Sequence, residues 1–387
     1  MTKPTILFII DTLNVGGAEK SLLDIVSRLD QFAPVVCHIY PGDTLRSEFE
    51  DRGVPTFSLK IPPPYNWAKA TVAVCDLVAT IKPVIIHSTL FKSDIVARRV
   101  ARRLRIPLIN SLVNNSYHES RFKSAGAMMW VKLKVLQLFD AWTARRVDLF
   151  ISNSETIGVS NSKALSIPKK KIRVIYRGRS ARDFDVNADK IDSLQRELNV
   201  STSHQIILNI SRLIQRKGQL ELIRAFKLLS SEYPNAILLI AGSGPFKSNL
   251  EMEIQHLNLS NRVRLLGNRS DVPVLLKMAS CFVFPSHYEG LPGALIEAML
   301  ARIPIAASRI PENMECVDEN MASIFDLKNE SELVSSLRAV LTDSAERRQR
   351  IEVAYATARE KFDIDNIVIS YEDTYHKVLL DTGKPKL

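Results

Sequence analysis

The sequence predicts an α/β protein built from two doubly wound parallel-sheet units in series. Three observations carry this. Short apolar runs alternate with helix-spaced segments across the first half of the chain. A polar, charged stretch at 183–204 interrupts them, and a fresh strand–helix series begins at 205. Buried parallel strands read as near-continuous apolar runs, and alternation with helices covers the sheet on both faces. At 387 residues the chain holds two domains of ordinary size, each with its own core.

The first strand is 4–10, and the helix at 18–29 follows from the spacing of Leu22, Leu23, Ile25, Val26 and Leu29. Further strands fall at 34–39, 84–87, 108–112 and 149–152, separated by helical stretches. The second series reads as strand 205–210, helix 219–231, strand 236–241, helix 246–257, strands 263–266 and 281–285, helix 293–301 and strand 305–307. A final helical stretch, 344–380, is long enough to cross back to the first domain. The expected domains are 1–183, a linker at 184–204, and 205–364, with 365–387 as the crossing segment. Open sheets of this kind bind ligands at the carboxyl ends of their strands, so two facing units offer a cleft.

Apolar residues at 46% and charged residues at 24% are globular values. The early apolar run from Ile6 to Ile10 is closed by Asp11, too short for a secretory signal. No run approaches the ~18 apolar residues of a spanning helix. Cys37, Cys75, Cys281 and Cys316 form no CxxC pair and lie near no histidine cluster, so reduced thiols and a cytoplasmic location are expected, without a metal. The net charge of +10 is uneven: residues 1–180 hold 27 basic against 14 acidic side chains, and 181–387 hold 25 against 28. A basic half implies an anionic partner, either nucleic acid or a membrane surface.

Four stretches carry chemistry. Gly16-Gly17-Ala18-Glu19 joins the first strand to its helix, either as a tight turn or to let a ligand approach the helix N-terminus. In Ser211–Gly218, Arg212 and Lys217 stand at a strand end, where a guanidinium and an ammonium can share a diphosphate. Ala241-Gly242-Ser243-Gly244-Pro245 is a second close-approach turn, lacking the third glycine of a dinucleotide fingerprint. In HYEGLPGALIEAM, backbone N–H groups around Gly290–Gly293 open a helix and suit phosphate oxygens. Glu297 can then accept hydrogen bonds from a vicinal diol such as ribose, and Glu289 from a second sugar. Alternatively, both glutamates are surface charges or helix-start acids.

With GGAE, SRLIQRKG, LLIAGSGP, RVRLLGN and FPSHYEGLPGALIEAM in this order and spacing, the chain resembles the retaining, nucleotide-sugar-dependent glycosyltransferases of group 1, which carry two Rossmann-like domains in the GT-B fold. The resemblance covers nearly the whole chain. It implies that Arg212 and Lys217 neutralise the donor diphosphate, Glu297 holds the ribose and Glu289 contacts the transferred sugar. Gly16 and Gly17 would close over the diphosphate, and Gly244, Gly290, Leu291 and Pro292 would complete the donor site. Glu289, Lys217 and Arg212 are the residues expected to carry catalysis, without a metal or cofactor, by a front-side route in which the leaving phosphate takes the acceptor proton.

The chain departs from the family's pattern at several positions. His87 matches a histidine often found there, but Thr89 replaces a second one, and Asn114-Asn115 stand where a third is expected. His87 and Asn115 are therefore possible acceptor-domain site residues, His87 being equally readable as a packed strand-end side chain. Arg302 and Arg309 replace a usual glycine and aspartate, serving either an acidic sugar or nothing but solvent.

The basic run Arg98, Arg99, Arg102, Arg103 and Arg105 adds to Met128, Met129, Trp130 and Trp142 among Lys132, Lys134, Arg145 and Arg146. Apolar bulk mixed with cations suits a helix on an anionic membrane, or an ordinary core helix with a basic solvent side. No recognised nucleic-acid module or aromatic platform is present, so nucleic acid is not an expected partner. The function expected is sugar transfer to a lipid-linked or oligosaccharide acceptor in cell-surface polysaccharide biosynthesis, peripheral to the inner membrane face. A nucleotide-sugar epimerase and a non-catalytic nucleotide-sugar-binding protein are the alternatives.

Overall fold

The computed structural model describes residues 3–63, 66–118, 122 and 126–383. They divide into two compact units, Met1–Gly178 with Ile364–Leu387, and Arg179–Asp363. Residues 384–387 of the expected crossing segment lie outside the described residues.

The first unit holds a seven-stranded parallel sheet: β1 (Thr5–Ile10), β2 (Ala33–His38), β3 (Thr56–Ser58), β4 (Ile85–Thr89), β5 (Leu108–Leu112), β6 (Leu149–Ser152) and β7 (Ile172–Val174). Their spatial order is β3-β2-β1-β4-β5-β6-β7, so the winding reverses between β1 and β4. β1 shows why its sequence is apolar without a break. Ile6, Phe8 and Ile10 enter one core and Leu7 and Ile9 the other. Successive side chains of a strand point to opposite faces, and here both faces are covered.

Helix Ile364–Asp381 belongs to this unit and gives Ile364, Ile367, Val368, Tyr371, Tyr375, Val378 and Leu379 to the core that holds Phe8. Its Glu372 accepts hydrogen bonds from the Asp30 and Gln31 amides at 2.7 and 2.6 Å.

The second unit holds six parallel strands: β8 (Gln205–Ile210), β9 (Ala236–Ala241), β10 (Val263–Gly267), β11 (Cys281–Phe284), β12 (Ile305–Ser308) and β13 (Ser323–Phe325). Their order is β10-β9-β8-β11-β12-β13, reversing between β8 and β11. Ligands of doubly wound sheets bind at the carboxyl side of such a reversal. The loops after β8 and β11 therefore occupy the position that matters.

Several elements differ from the sequence expectation. The edge strands β3, β7 and β13 have three residues each, too few to show a period. The stretch expected as a linker at 184–204 contains helix Ala188–Glu197, packed against helix Val272–Met278 within the second unit. It reads as polar because it buries only Leu194. The final helical stretch is two helices, Ala345–Lys361 and Ile364–Asp381. Between them the Phe362 carbonyl accepts from the Arg179 amide at 2.8 Å.

Arg98 is a correction to the basic run. On helix Phe91–Leu104 it is 2% exposed, and its guanidinium donates to Asn110 Oδ1 at 2.8 Å, Asp140 Oδ1 at 2.6 Å and Thr143 Oγ1 at 2.8 Å. Tyr117 Oη donates to the other Asp140 oxygen at 2.8 Å. Asp94, one turn back, is pushed up to about 7 by burial, against the opposing pull of Arg98. All four cysteines are free, with Cys37, Cys281 and Cys316 buried. Among the described residues no helix is long and apolar enough to cross a membrane.

Breaking a buried ion pair from one side leaves an uncompensated charge, which costs about 3–5 kcal/mol. Arg98→Met is expected to lose stability on that scale in urea unfolding, whereas the exposed Arg103→Gln stays within about 0.5 kcal/mol of the parent.

Candidate active site

Three loops at the carboxyl edge of the second sheet are tied together through their backbones. The loop after β8 bonds to the loop after β9: the Ser211 amide donates to Ala241 O at 3.0 Å, Leu213 N to Ser243 O at 2.9 Å, and Phe246 N to Leu213 O at 3.0 Å. It bonds to the loop after β11 through His287 N, which donates to Arg216 O at 2.8 Å.

The glycines make this proximity possible. Gly218 stands at φ +69°, in the left-handed region, and a β-carbon there would collide with the Pro285 carbonyl. At Gly242 and Gly244 the missing side chains are replaced by the carbonyls of Ser211 and Leu213. What approaches the second glycine turn so closely is the chain's own backbone.

Beneath these loops lies a buried polar ladder. Asn209 Nδ2 donates to Val283 O at 2.8 Å, Ser211 Oγ to Asn209 Oδ1 at 3.0 Å, and Gln219 Nε2 to Ser211 Oγ at 2.8 Å. Asn209 and Gln219 are fully buried. A buried hydrogen-bond network of this kind fixes geometry that apolar packing alone leaves adaptable, and only Gln219 Oε1 within the ladder has no partner among the described residues.

Glu289 is 6% exposed and ion-paired with Lys217. Arg216 Nη1 stands 3.6 Å from its other oxygen, and donates to the Tyr288 carbonyl at 2.6 Å while its guanidinium lies 4.8 Å from the Tyr288 ring centre. Burial alone would raise the Glu289 carboxyl. The charges of Lys217 and Arg216 outweigh that effect and hold it below its ordinary value. Lys217 also lies 5.2 Å from the Phe284 ring centre. Arg212, expected to act with Lys217, is exposed and has no carboxylate partner among the described residues. The cation paired with Glu289 beside Lys217 is therefore Arg216, to which the sequence assigned no role.

Leu291, Pro292 and Gly293 are buried and Gly290 is half-buried. Pro292 caps helix Gly293–Leu300, whose first amides have no partner within the helix. Glu297 lies in its second turn, and its Oε1 accepts from Arg179 Nε at 2.7 Å, the two side chains being 19% and 9% exposed. Arg179 is a second partner that local pattern did not reveal. Glu289 precedes and Glu297 follows the first amides of the helix in the chain, and these groups together suit a polyhydroxylated anion.

Arg302 and Arg309 are accounted for within the second unit. Arg302 sits at φ +57°, its guanidinium 3.9 Å from the Tyr355 ring centre and 3.9 Å from Glu352 Oε2. Arg309 pairs with Glu319 at 2.5 Å. Among the described residues no group of three or more His, Cys, Asp or Glu side chains could hold a metal ion.

In the first unit, Gly16 caps helix Gly17–Val26, with the Glu19 carboxylate folded over the space a β-carbon would need. A β-carbon on Gly17 would lie 3.6 Å from Arg177. His87 on β4 is 3% exposed and both ring nitrogens are engaged, Nδ1 with Tyr375 Oη at 2.9 Å and Nε2 with Ser111 Oγ at 2.8 Å. Burial pulls its pKa down to about 3, so it is neutral at physiological pH. Asn115 is half-buried, its Oδ1 accepting from Ser160 Oγ at 2.8 Å.

Two doubly wound parallel-sheet units in one chain are the architecture of the GT-B fold. Residues 190–357 match the family described as Glycosyl transferases group 1, and residues 16–178 match the Glycosyl transferase 4-like domain. Both matched families are glycosyltransferases and together they span most of the chain, which is a glycosyltransferase whose second unit matches group 1.

It is 38% identical over 152 residues to the uncharacterized glycosyltransferase MJ1059 of Methanocaldococcus jannaschii, a match spanning 36% of this chain and 37% of that one. It is 28% identical to an Escherichia coli UDP-Gal:alpha-D-GlcNAc-diphosphoundecaprenol alpha-1,3-galactosyltransferase, over 65% of this chain and 64% of that one. The fold matches that of Anabaena Alr3699/HepE, solved in complex with UDP-glucose, with TM-score 0.85 and 22% identity over 96% of this chain and 99% of that one.

Lys217→Met is expected to destabilise the protein by on the order of 3 kcal/mol at neutral pH, because Glu289 stays buried with a weaker counter-charge. The difference from wild type, followed by urea unfolding, narrows as pH falls below the ordinary glutamate range, where protonation removes the charge that Lys217 compensates.

His87 gives a second acid signature. Its folded pKa, about 3, lies below the ordinary 6.5, so its contribution is complete above 6.5 and declines as pH falls from 6.5 toward 3. His87→Gln is expected to flatten the stability–pH curve over that window in chemical unfolding measured at several pH values.

Proposed function

We propose that this glycosyltransferase moves a sugar from a nucleotide-sugar donor to a lipid-linked saccharide acceptor in cell-surface polysaccharide biosynthesis, retaining the anomeric configuration. The single observation that carries the donor assignment is the buried Glu289, held ionised by Lys217 and Arg216, beside a helix start that bears Glu297. A carboxylate kept charged under cover is an acceptor for sugar hydroxyls that water does not screen.

Glu289 receives hydroxyls of the transferred sugar and Glu297 those of the ribose. Lys217 and Arg212 meet the diphosphate, with the first amides of helix Gly293–Leu300 facing its oxygens. As the bond from the anomeric carbon to the phosphate oxygen breaks, negative charge grows on that oxygen, and fixed cations stabilise it more than they stabilise the bound donor. The acceptor oxygen bonds to the same face of the anomeric carbon, and its proton passes to the departing phosphate oxygen. Protein cations supply the charge compensation, so the step as proposed needs no resident metal. His87, neutral and engaged at both nitrogens, takes no part in proton transfer.

The first unit is proposed to bind the acceptor, working at the cytoplasmic face of an anionic membrane. Support for a lipid-borne acceptor comes from the Escherichia coli relative, whose name specifies a diphosphoundecaprenol substrate, and from the charge of the first half.

The test is incubation of the protein with UDP-glucose, UDP-galactose and UDP-N-acetylglucosamine in turn, with a bacterial lipid extract. Expected is a glycolipid product whose anomeric configuration by NMR matches the donor's. Glu289→Gln should lower turnover about 100-fold or more, and Glu297→Gln should weaken donor binding about tenfold. Donor binding without transfer or hydrolysis would sink the enzymatic assignment, and an epimerised donor would replace it with an epimerase.

A further inference from the structure

Arg102, Arg105, Pro107, Arg146, Asp148 and Thr382 are among the residues lining a cavity of about 430 Å³ in the first unit. Pro107 and Asp148 immediately precede β5 and β6, so the cavity opens at the amino edge of the parallel sheet. Gly16 and Gly17 follow the carboxyl end of β1, at the opposite edge. Within the first unit, the cavity thus lies at the sheet edge opposite Gly16 and Gly17.

Its charge is unbalanced. Arg102 and Arg105 are exposed and Arg146 is half-buried, and none of the three has a carboxylate partner among the described residues. Asp148 is the one acid in the lining, and its Oδ2 already accepts from the Leu108 amide at 2.8 Å. Partial burial, and then the neighbouring charge of Arg102, hold Arg146 below its ordinary pKa. Three guanidiniums around one space are a fork-shaped receptor for phosphate oxygens.

The surroundings indicate which phosphate. Arg146 Cζ lies 4.8 Å from the ring centre of Trp142, near the end of helix Ala127–Ala144. On that helix Val135, Leu138 and Trp142 are 60%, 70% and 54% exposed. Phe139 stacks on Trp67 at 5.9 Å, and Arg99 Cζ lies 5.7 Å from the same Trp67 ring. Exposed apolar side chains interleaved with cations suit the boundary between headgroups and acyl chains, whereas a soluble phosphate needs no apolar rim.

We infer that the cavity formed by Arg102, Arg105 and Arg146 seats the phosphate of an anionic lipid headgroup, beside an apolar helix face that enters the bilayer interface. This deepens the proposal that the acceptor is lipid-borne and rests on it for its biological sense. Its test is independent of turnover.

The full-length protein is floated with phosphatidylcholine vesicles, with and without phosphatidylglycerol. Wild type should float only with the anionic vesicles. The triple variant Arg102→Gln, Arg105→Gln, Arg146→Gln should lose about a hundredfold in partitioning, and Leu138→Glu should also lose it. A control that removes three charges elsewhere in the unit, all on exposed lysines, Lys163→Gln, Lys169→Gln, Lys170→Gln, should lose no more than a fewfold. UDP titrated by calorimetry should bind wild type and the arginine variant alike, which excludes misfolding. If UDP binds neither while flotation behaves as expected, the donor assignment falls and the lipid site stands. Equal loss in the two triple variants would show that only net charge is read and would overturn the site. So would absence of flotation, or saturable binding of inorganic phosphate that needs the three arginines while anionic vesicles are ignored.

Discussion

A carboxylate buried in a protein must be compensated or it takes up a proton, and much of the carboxyl edge of the second sheet follows from meeting that demand at Glu289. Lys217 and Arg216 supply the charge from a loop that reaches across from β8 to β11. The loop can reach only because Gly218 lets it pass against Pro285, and because Gly242 and Gly244 let its backbone settle onto the next turn. Asn209, Ser211 and Gln219 hold the base of the loop from below. Charge, loop shape and glycine placement are therefore one arrangement.

This changes the sense of the glycines. In sequence they look like clearance for a ligand. In the fold, the side of Gly242 and Gly244 on which a β-carbon would project is filled by Ser211 and Leu213. The two departures at Arg302 and Arg309 likewise find intramolecular partners, an aromatic ring and a carboxylate. Arg302 stands in the left-handed region, at φ +57°, with its guanidinium 3.9 Å from the Tyr355 ring centre.

The doubly wound character of both sheets was legible because strands buried on both faces, such as β1, must be continuously apolar. Three-residue edge strands and helix Ala188–Glu197, with its single buried leucine, carry too few buried positions to leave a pattern. The motif residues around Glu289 and Glu297 were visible as local chemistry. Their partners were not: Arg216 lies 72 residues from Tyr288, and Arg179 is 118 residues from Glu297. Pairing across such distances is set by topology and leaves no local spacing to read. Arg98 was misjudged for the same reason, since its partners Asn110, Asp140 and Thr143 lie on later elements.

The first unit is assembled from chain on both sides of the second. Its sheet emerges early during synthesis, yet the core around Phe8 and Phe32 is complete only once Tyr371 and Tyr375 arrive on helix Ile364–Asp381. A ribosome would release a closed second unit while the first still had an open apolar flank. The nascent chain thus carries an unfinished surface through the making of nearly two hundred residues. That flank is apolar surface that the finished molecule no longer displays.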